Sequence, residues 1–314
     1  MKNRKTLGNL ILLLTAMIWG AAFSFQSMAM ETMTPLTFTA TRMIFAAVFL
    51  WCLVLVMGTL ARRRGGNSEA GKPAEGGSGE AEASGQPGLK AYILPGALCG
   101  LFLCLGTDLQ QISLTLTTAG KAGFITAAYT VFVPILALIV FRKKTAVSCW
   151  IGAVLALVGV YFLSGAEGLA LAPEDMLLIG CAVAFAFQIL CIDHFVKDLD
   201  PVKLSAMQFT FSTLFSLLAA FIWEEPTFAM MTSALGAVLY AGVVSGGIGY
   251  TLQVIGQKLS DPAPAAILMS LEAVFSALFG AILLSQMMSG REILGSVIML
   301  AAVILVQLSA IRES

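Results

Sequence analysis

Apolar residues fill long runs of this chain, divided by short polar stretches and by one long polar gap. A helix needs about 20 largely apolar residues to cross the hydrocarbon core of a bilayer. The runs predict ten such helices, over residues 7–28, 36–57, 91–111, 119–141, 148–164, 176–195, 204–223, 233–256, 265–284 and 292–308. Helices follow because a backbone exposed to lipid has to satisfy its own hydrogen bonds. A β-barrel would need short segments of alternating polarity, and these runs are apolar on every face. The predicted fold class is an all-α integral membrane protein with ten transmembrane helices.

The polar gap, residues 61–89, is rich in Gly, Ser, Ala and Glu and reads as a flexible linker. Composition agrees with the pattern: 58% of residues are hydrophobic and 11% charged, where a soluble domain carries about 25% charged residues. Lys+Arg and Asp+Glu balance at 18 each, so no basic surface points to nucleic acid. The lipid bilayer is the one macromolecular partner the composition demands. The six cysteines lie within or beside apolar runs and read as small apolar side chains.

Fifteen of the 18 basic residues fall in alternate loops: Lys2, Arg4, Lys5, Arg62, Arg63, Arg64, Lys72, Lys90, Arg142, Lys143, Lys144, Lys197, Lys203, Lys258 and Arg312. The intervening loops carry acids such as Glu31, Glu224 and Glu225. The positive-inside rule then places both termini in the cytoplasm of a multi-pass protein of the cytoplasmic membrane.

An internal repeat organises the runs. Residues 106–163 align with residues 249–306 without a gap, every pair differing by 143 positions (249 − 106), with 13 identities in 58 pairs. Gly106/Gly249, Gln110/Gln253, Phe132/Phe275 and Gly152/Gly295 are among them. Pro35 and Pro201 correspond at the head of the second and seventh runs, with the linker absorbing the change in offset. The chain thus divides into a first five-helix unit over residues 1–165 and a second over residues 172–311. Five is odd, so the second unit enters the membrane from the opposite side. Inverted repeats of this kind are characteristic of secondary transporters, whose substrate sits near the midplane between the halves.

Candidate chemistry is sparse. The run at residues 267–284 holds one carboxylate, Glu272, and a charge at that depth normally faces the bundle interior. Glu272 would carry a proton or meet a cationic substrate group, or else serve as a carboxylic acid bonded between helices. Its repeat partner is Tyr129, a phenol where the other half has a carboxylate. Arg42 lies about 10 Å into the second helix at 1.5 Å per residue; it either snorkels outward, the expected outcome, or serves an anionic group. Gln110 and Gln253, as a repeat pair, and Trp19 complete the candidate pathway. Asp108 is a candidate partner for Lys121. Pro134 is expected to kink the fourth helix, and Gly242, Gly246, Gly247 and Gly249 to mark close packing of the eighth or, as the alternative, an unwound hinge.

Enzyme signatures are missing. His194 is the one histidine, and no HExxH, P-loop or nucleophile elbow occurs. The reading is not an enzyme, with no catalytic residue, cofactor or metal site.

Trp19–Gly20 with Phe23, Pro35 and Arg42, the stretch 118–134 (TAGKAGFITAAYTVFVP) and the stretch 270–275 (SLEAVF) together resemble the drug/metabolite transporter superfamily, specifically its EamA-type members. Family members often read Leu-Glu-Pro in the ninth helix; Ala273 stands where that proline would be. The resemblance covers the chain outside the linker. It implies two EamA repeats and export of small metabolites such as amino acids through a central cavity by alternating access, with protons as the candidate coupling ion. Proton-coupled efflux of toxic compounds is the alternative it leaves, and an intramembrane enzyme or a non-transporting membrane sensor is the alternative of a different class.

Overall fold

The structure, a computed structural model, describes residues 2–66, 87–116, 119–163, 175–284 and 288–312. Every regular element in these residues is helical. Among the described residues nine helices are long and apolar enough to cross a membrane: Arg4–Ala29, Pro35–Leu60, Leu89–Ser113, Ala122–Ile139, Asp175–Phe195, Pro201–Trp223, Leu235–Gln257, Pro262–Ile282 and Gly290–Ser309. The shorter apolar helix Val147–Leu163 takes the fifth place in chain order and makes ten spans. The second helix continues to Gly66, so the first residues of the predicted linker are helical. Residues 67–86 of that segment lie outside the described residues.

Side chains are distributed as lipid demands. Large apolar groups face outward, with Leu55, Ile139, Val147 and Phe221 each at least 66% exposed. In water such a surface would drive association; in a bilayer it is the solvent-matched face. The interior holds small and polar residues, among them Ala16, Ala46, Ser205, Ser212 and Ser216, all buried. Small residues let membrane helices approach closely, since apolar burial gives no drive between them.

Packing shows the repeat directly. The third span packs on the sixth and seventh, and the eighth packs on the first and second. The fourth packs on the sixth, and the ninth on the first. The second and seventh pair with each other, as do the fifth and tenth. Exchanging each span with the one five places on reproduces the same set of contacts. That is the contact pattern of a pseudo-twofold, and an odd number of spans per unit makes the two units inverted.

The fifth–tenth pair shows why glycine is required where these two helices touch. A Cβ on Gly295 would stand 2.5 Å from the Gly159 carbonyl oxygen, and one on Gly159 would stand 2.8 Å from the Gly295 carbonyl. Any larger residue would push these two helices apart. The second span is capped from the other repeat: the Glu224 carboxylate accepts from the N–H groups of Leu36 and Thr37 at 3.0 and 2.8 Å and from the hydroxyls of Thr34 and Thr37. It satisfies orphan donors and favours the positive end of the helix dipole.

Two predicted single helices are broken. The fourth span is Ala119–Thr126 followed by Tyr129–Ile139, and the ninth is Pro262–Met269 followed by Glu272–Leu284. The breaks fall at 127–128 and 270–271, again 143 apart, and their backbone bonding is duplicated. Ala128 N–H donates to Ile125 O as Leu271 donates to Leu268. Thr130 donates to Ala127 as Ala273 donates to Ser270. These bonds span three residues rather than four, which tightens the chain into a turn. The fourth span therefore breaks before Pro134, which sits inside Tyr129–Ile139, and the ninth breaks without any proline at 273.

The eighth span is α-helical at its ends and π-helical over Tyr240–Gly249. Its glycines do pack closely, as expected: a Cβ on Gly242 would meet the Arg42 carbonyl at 2.7 Å. The glycines are not unwound, yet the helix is widened there into π-turns, of a kind frequent at functional sites.

Candidate substrate site

The two broken helices deliver the central pair. Tyr129 and Glu272 are each the first residue of a second half-helix. The Tyr129 hydroxyl donates to Glu272 Oε1 at 3.5 Å, the long limit of a hydrogen bond. A carboxylate in a first helical turn is favoured by the dipole of the following half-helix. The repeat thus brings together across the pseudo-axis two residues far apart in the chain.

These residues face a cavity between the two units. Arg42, Gln110, Tyr129, Gln253, Trp19 and Glu272 all line it, so the six pathway candidates meet in one place. The space within it is about 50 Å³, so the site is nearly closed in this conformation. Sequence reasoning missed Gln26, Phe185, Gln188, Ser245 and Tyr250, which also line it. A glutamine inside an apolar run was the available signal for Gln26 and Gln188; Ser245 and Tyr250 flank glycines of the eighth span and gave none.

Arg42 does not snorkel. It is 6% exposed, and its guanidinium carbon lies 5.5 Å from the centre of the Phe38 ring, a cation–π distance. Its Nε is buried with no hydrogen-bond partner. A buried donor left unmade costs about 1–3 kcal/mol, and more when charged. The reason for its burial is tertiary: the glycine face of the eighth span lies against the backbone of Arg42. Asp108 lies within electrostatic reach of Arg42. The Asp108 carboxylate accepts from the Cys104 thiol at 3.1 Å and from the Ser216 hydroxyl at 3.4 Å. The side chain of Lys121, its predicted partner, lies outside the described residues.

Amides form one wall. Gln188 Nε2 donates to Gln253 Oε1 at 3.3 Å and Gln253 Nε2 donates back to Gln188 Oε1 at 3.1 Å; Gln188 also donates to Gln208 at 3.1 Å. Gln253 is therefore held by a fixed amide pair, whereas its repeat partner Gln110 faces the cavity. Trp19 donates from Nε1 to the Ser245 carbonyl at 3.4 Å, and its ring lies tilted against that of Tyr250 with centroids 4.6 Å apart. It packs and lines the cavity at once. Among the described residues no three His, Cys, Asp or Glu side chains are grouped to hold a metal ion. The chemistry on offer is one guanidinium, one carboxyl group, an amide wall and an aromatic wall.

The sequence pattern of the EamA-like transporter family matches residues 6–165 and 172–308. The chain is similar to an uncharacterized transporter of Archaeoglobus fulgidus, with 29% identity over 310 residues covering 97% of this chain and 87% of that protein. It is also similar to the uncharacterized transporter YwfM of Bacillus subtilis, 28% identical over 171 residues, 53% of this chain and 57% of that one. A solved crystal structure superposes with a TM-score of 0.72 at 18% identity, over 98% of this chain and 99% of the other, a likeness of fold. Two family matches in tandem, over ten spans arranged about a pseudo-twofold, place this chain in the EamA-like transporter family: it is a multi-pass membrane transporter and not an enzyme.

Proposed function

We propose that this transporter exports a small metabolite bearing both a carboxylate and an amino group, of which amino acids are the simplest class, by alternating access at the cavity between its repeats. The observation that carries this reading is the cavity's pair of opposite charges. Arg42 presents a buried guanidinium whose Nε is unmatched, and Glu272 presents a carboxyl group within the same lining. Guanidinium meets carboxylate through paired, charge-assisted hydrogen bonds, and Glu272 meets an ammonium group. When substrate leaves, Glu272 takes a proton, which makes protons the coupling ion. The half-helix Pro262–Met269 is buried along its whole length and closes the bundle toward the end that carries Lys5 and Asp261. Loop charge makes that end cytoplasmic, with both termini on it.

The aromatic wall of Trp19, Phe185 and Tyr250 favours a second reading, proton-coupled efflux of toxic apolar cations. Counterflow into proteoliposomes with a pooled metabolite panel, with and without a pH gradient, decides between them. Trans-stimulated uptake of amino acids supports the first reading. Uptake confined to aromatic cations supports the second, and no flux of either class sinks both.

A further inference from the structure

A second cavity lies at the other side of the buried half-helix, away from the Arg42–Glu272 site. Its lining comes from both repeats: Lys5 of the first span, Lys143 and Lys144 of the loop after the fourth, Lys197 after the sixth, and Asp261 ahead of the ninth. The space within it is about 490 Å³, ample for a lipid headgroup. Four ammonium groups against the Asp261 carboxylate and the Asp193 carboxylate behind Lys143 leave it net positive.

The loop is shaped to produce this arrangement. Arg142 has φ 52°, the one positive φ at a non-glycine residue among the described residues. The following N–H, of Lys143, reaches back to the Ala137 carbonyl at 2.9 Å, the longer bond of a Schellman helix end. Such a conformation costs an L-residue about 1 kcal/mol or more and concentrates at functional sites. It turns the chain so that Lys143 and Lys144 line the cavity. Lys143 is paired with the buried Asp193 at 2.5 Å, and Lys197 lies beside Lys143. Among the described residues no ion pair neutralises Lys5, Lys144 or Lys197. Like charges gathered in a concave wall repel unless an anion sits between them.

The neighbouring surface indicates which anion. Ile139, Val140 and Val147 flank the loop and are 70%, 52% and 73% exposed. A basic cavity opening beside lipid-facing residues provides for a phosphate in the cavity and for acyl chains along the flank. We infer that this lysine-lined cavity is a binding site for a phosphate-bearing anion, supplied by the headgroup of an anionic lipid. It is independent of the substrate reading, because none of its residues lines the central site.

The test is equilibrium binding to the full chain in neutral detergent, using radiolabelled phosphatidylglycerol, phosphatidylcholine and inorganic phosphate as separate probes. Saturable phosphatidylglycerol binding is expected, with phosphatidylcholine binding absent. Lys144→Gln/Lys197→Gln should weaken it about tenfold or more, at about 1 kcal/mol per lysine. The exposed Lys90→Gln control at the same end should not. Arginine at positions 144 and 197 should restore binding, which separates lost charge from lost folding. Saturable binding of inorganic phosphate without phosphatidylglycerol overturns the lipid source while keeping the anion site. Binding of neither probe, or binding that the glutamine variant leaves unchanged, overturns the site itself.

Discussion

The break after Ala128 in the fourth span and the break after Leu271 in the ninth share one set of backbone hydrogen bonds, 143 residues apart. One break presents a phenol to the cavity and the other a carboxyl group. Matching backbone hydrogen bonds with different side chains separate what the duplication supplies, a pair of broken helices, from what each half contributes on its own. On the proposed function, the shared breaks serve transport as such and the unshared carboxyl group serves recognition or coupling.

Substitutions that remove one side of this comparison should act very unequally. Glu272→Gln has the largest expected effect: flux driven by a pH gradient falls to background in proteoliposomes, while size-exclusion profile and melting temperature stay near wild type. Retention of gradient-driven flux would break the assignment of the unshared chemistry to the ninth span. Next, Arg42→Gln should raise the half-saturation concentration of a carboxylate substrate about ten- to a hundredfold, as a lost charge-assisted bond of about 1.5–3 kcal/mol requires. Arg42→Lys should recover only part of this, because an ammonium lacks the guanidinium's planar fork. Tyr129→Phe comes last. The hydroxyl reaches Glu272 at only 3.5 Å, so its loss should cost less than about tenfold in the same assay. A Tyr129→Phe defect as large as that of Glu272→Gln would show the two halves to be chemically equivalent after all.

Much of this comparison was legible in the sequence, for identifiable reasons. The ten spans follow from run length, and the pairing of Tyr129 with Glu272 follows from an ungapped offset, because homologous units fold alike and meet about an axis. The breaks themselves were not legible. Neither 127–128 nor 270–271 contains proline or glycine, so nothing local announces a turn, and Pro134 drew attention a turn and a half too late. What holds the breaks open is tertiary packing of the half-helices on the first and sixth spans. Arg42 was misjudged on similar grounds. Outward snorkelling is the default for an isolated helix, and its burial depends on the glycine face of the eighth span. Gln188 stood out only as an amide in an apolar run, with no periodic signal to place it, and its role comes from Gln253, which lies 65 residues on.

The central claim is that one cavity between the repeats opens alternately to the two sides of the membrane. Ala22 lines that cavity and is 1% exposed, and Ala22→Cys in a chain with its six natural cysteines replaced reports on access directly. A membrane-impermeant maleimide applied to oriented vesicles should label Cys at position 22 from one side at a time. Saturating substrate or a reversed gradient should transfer the labelling to the other side. Simultaneous labelling from both sides, or labelling from one side that no substrate or gradient shifts, would contradict alternating access.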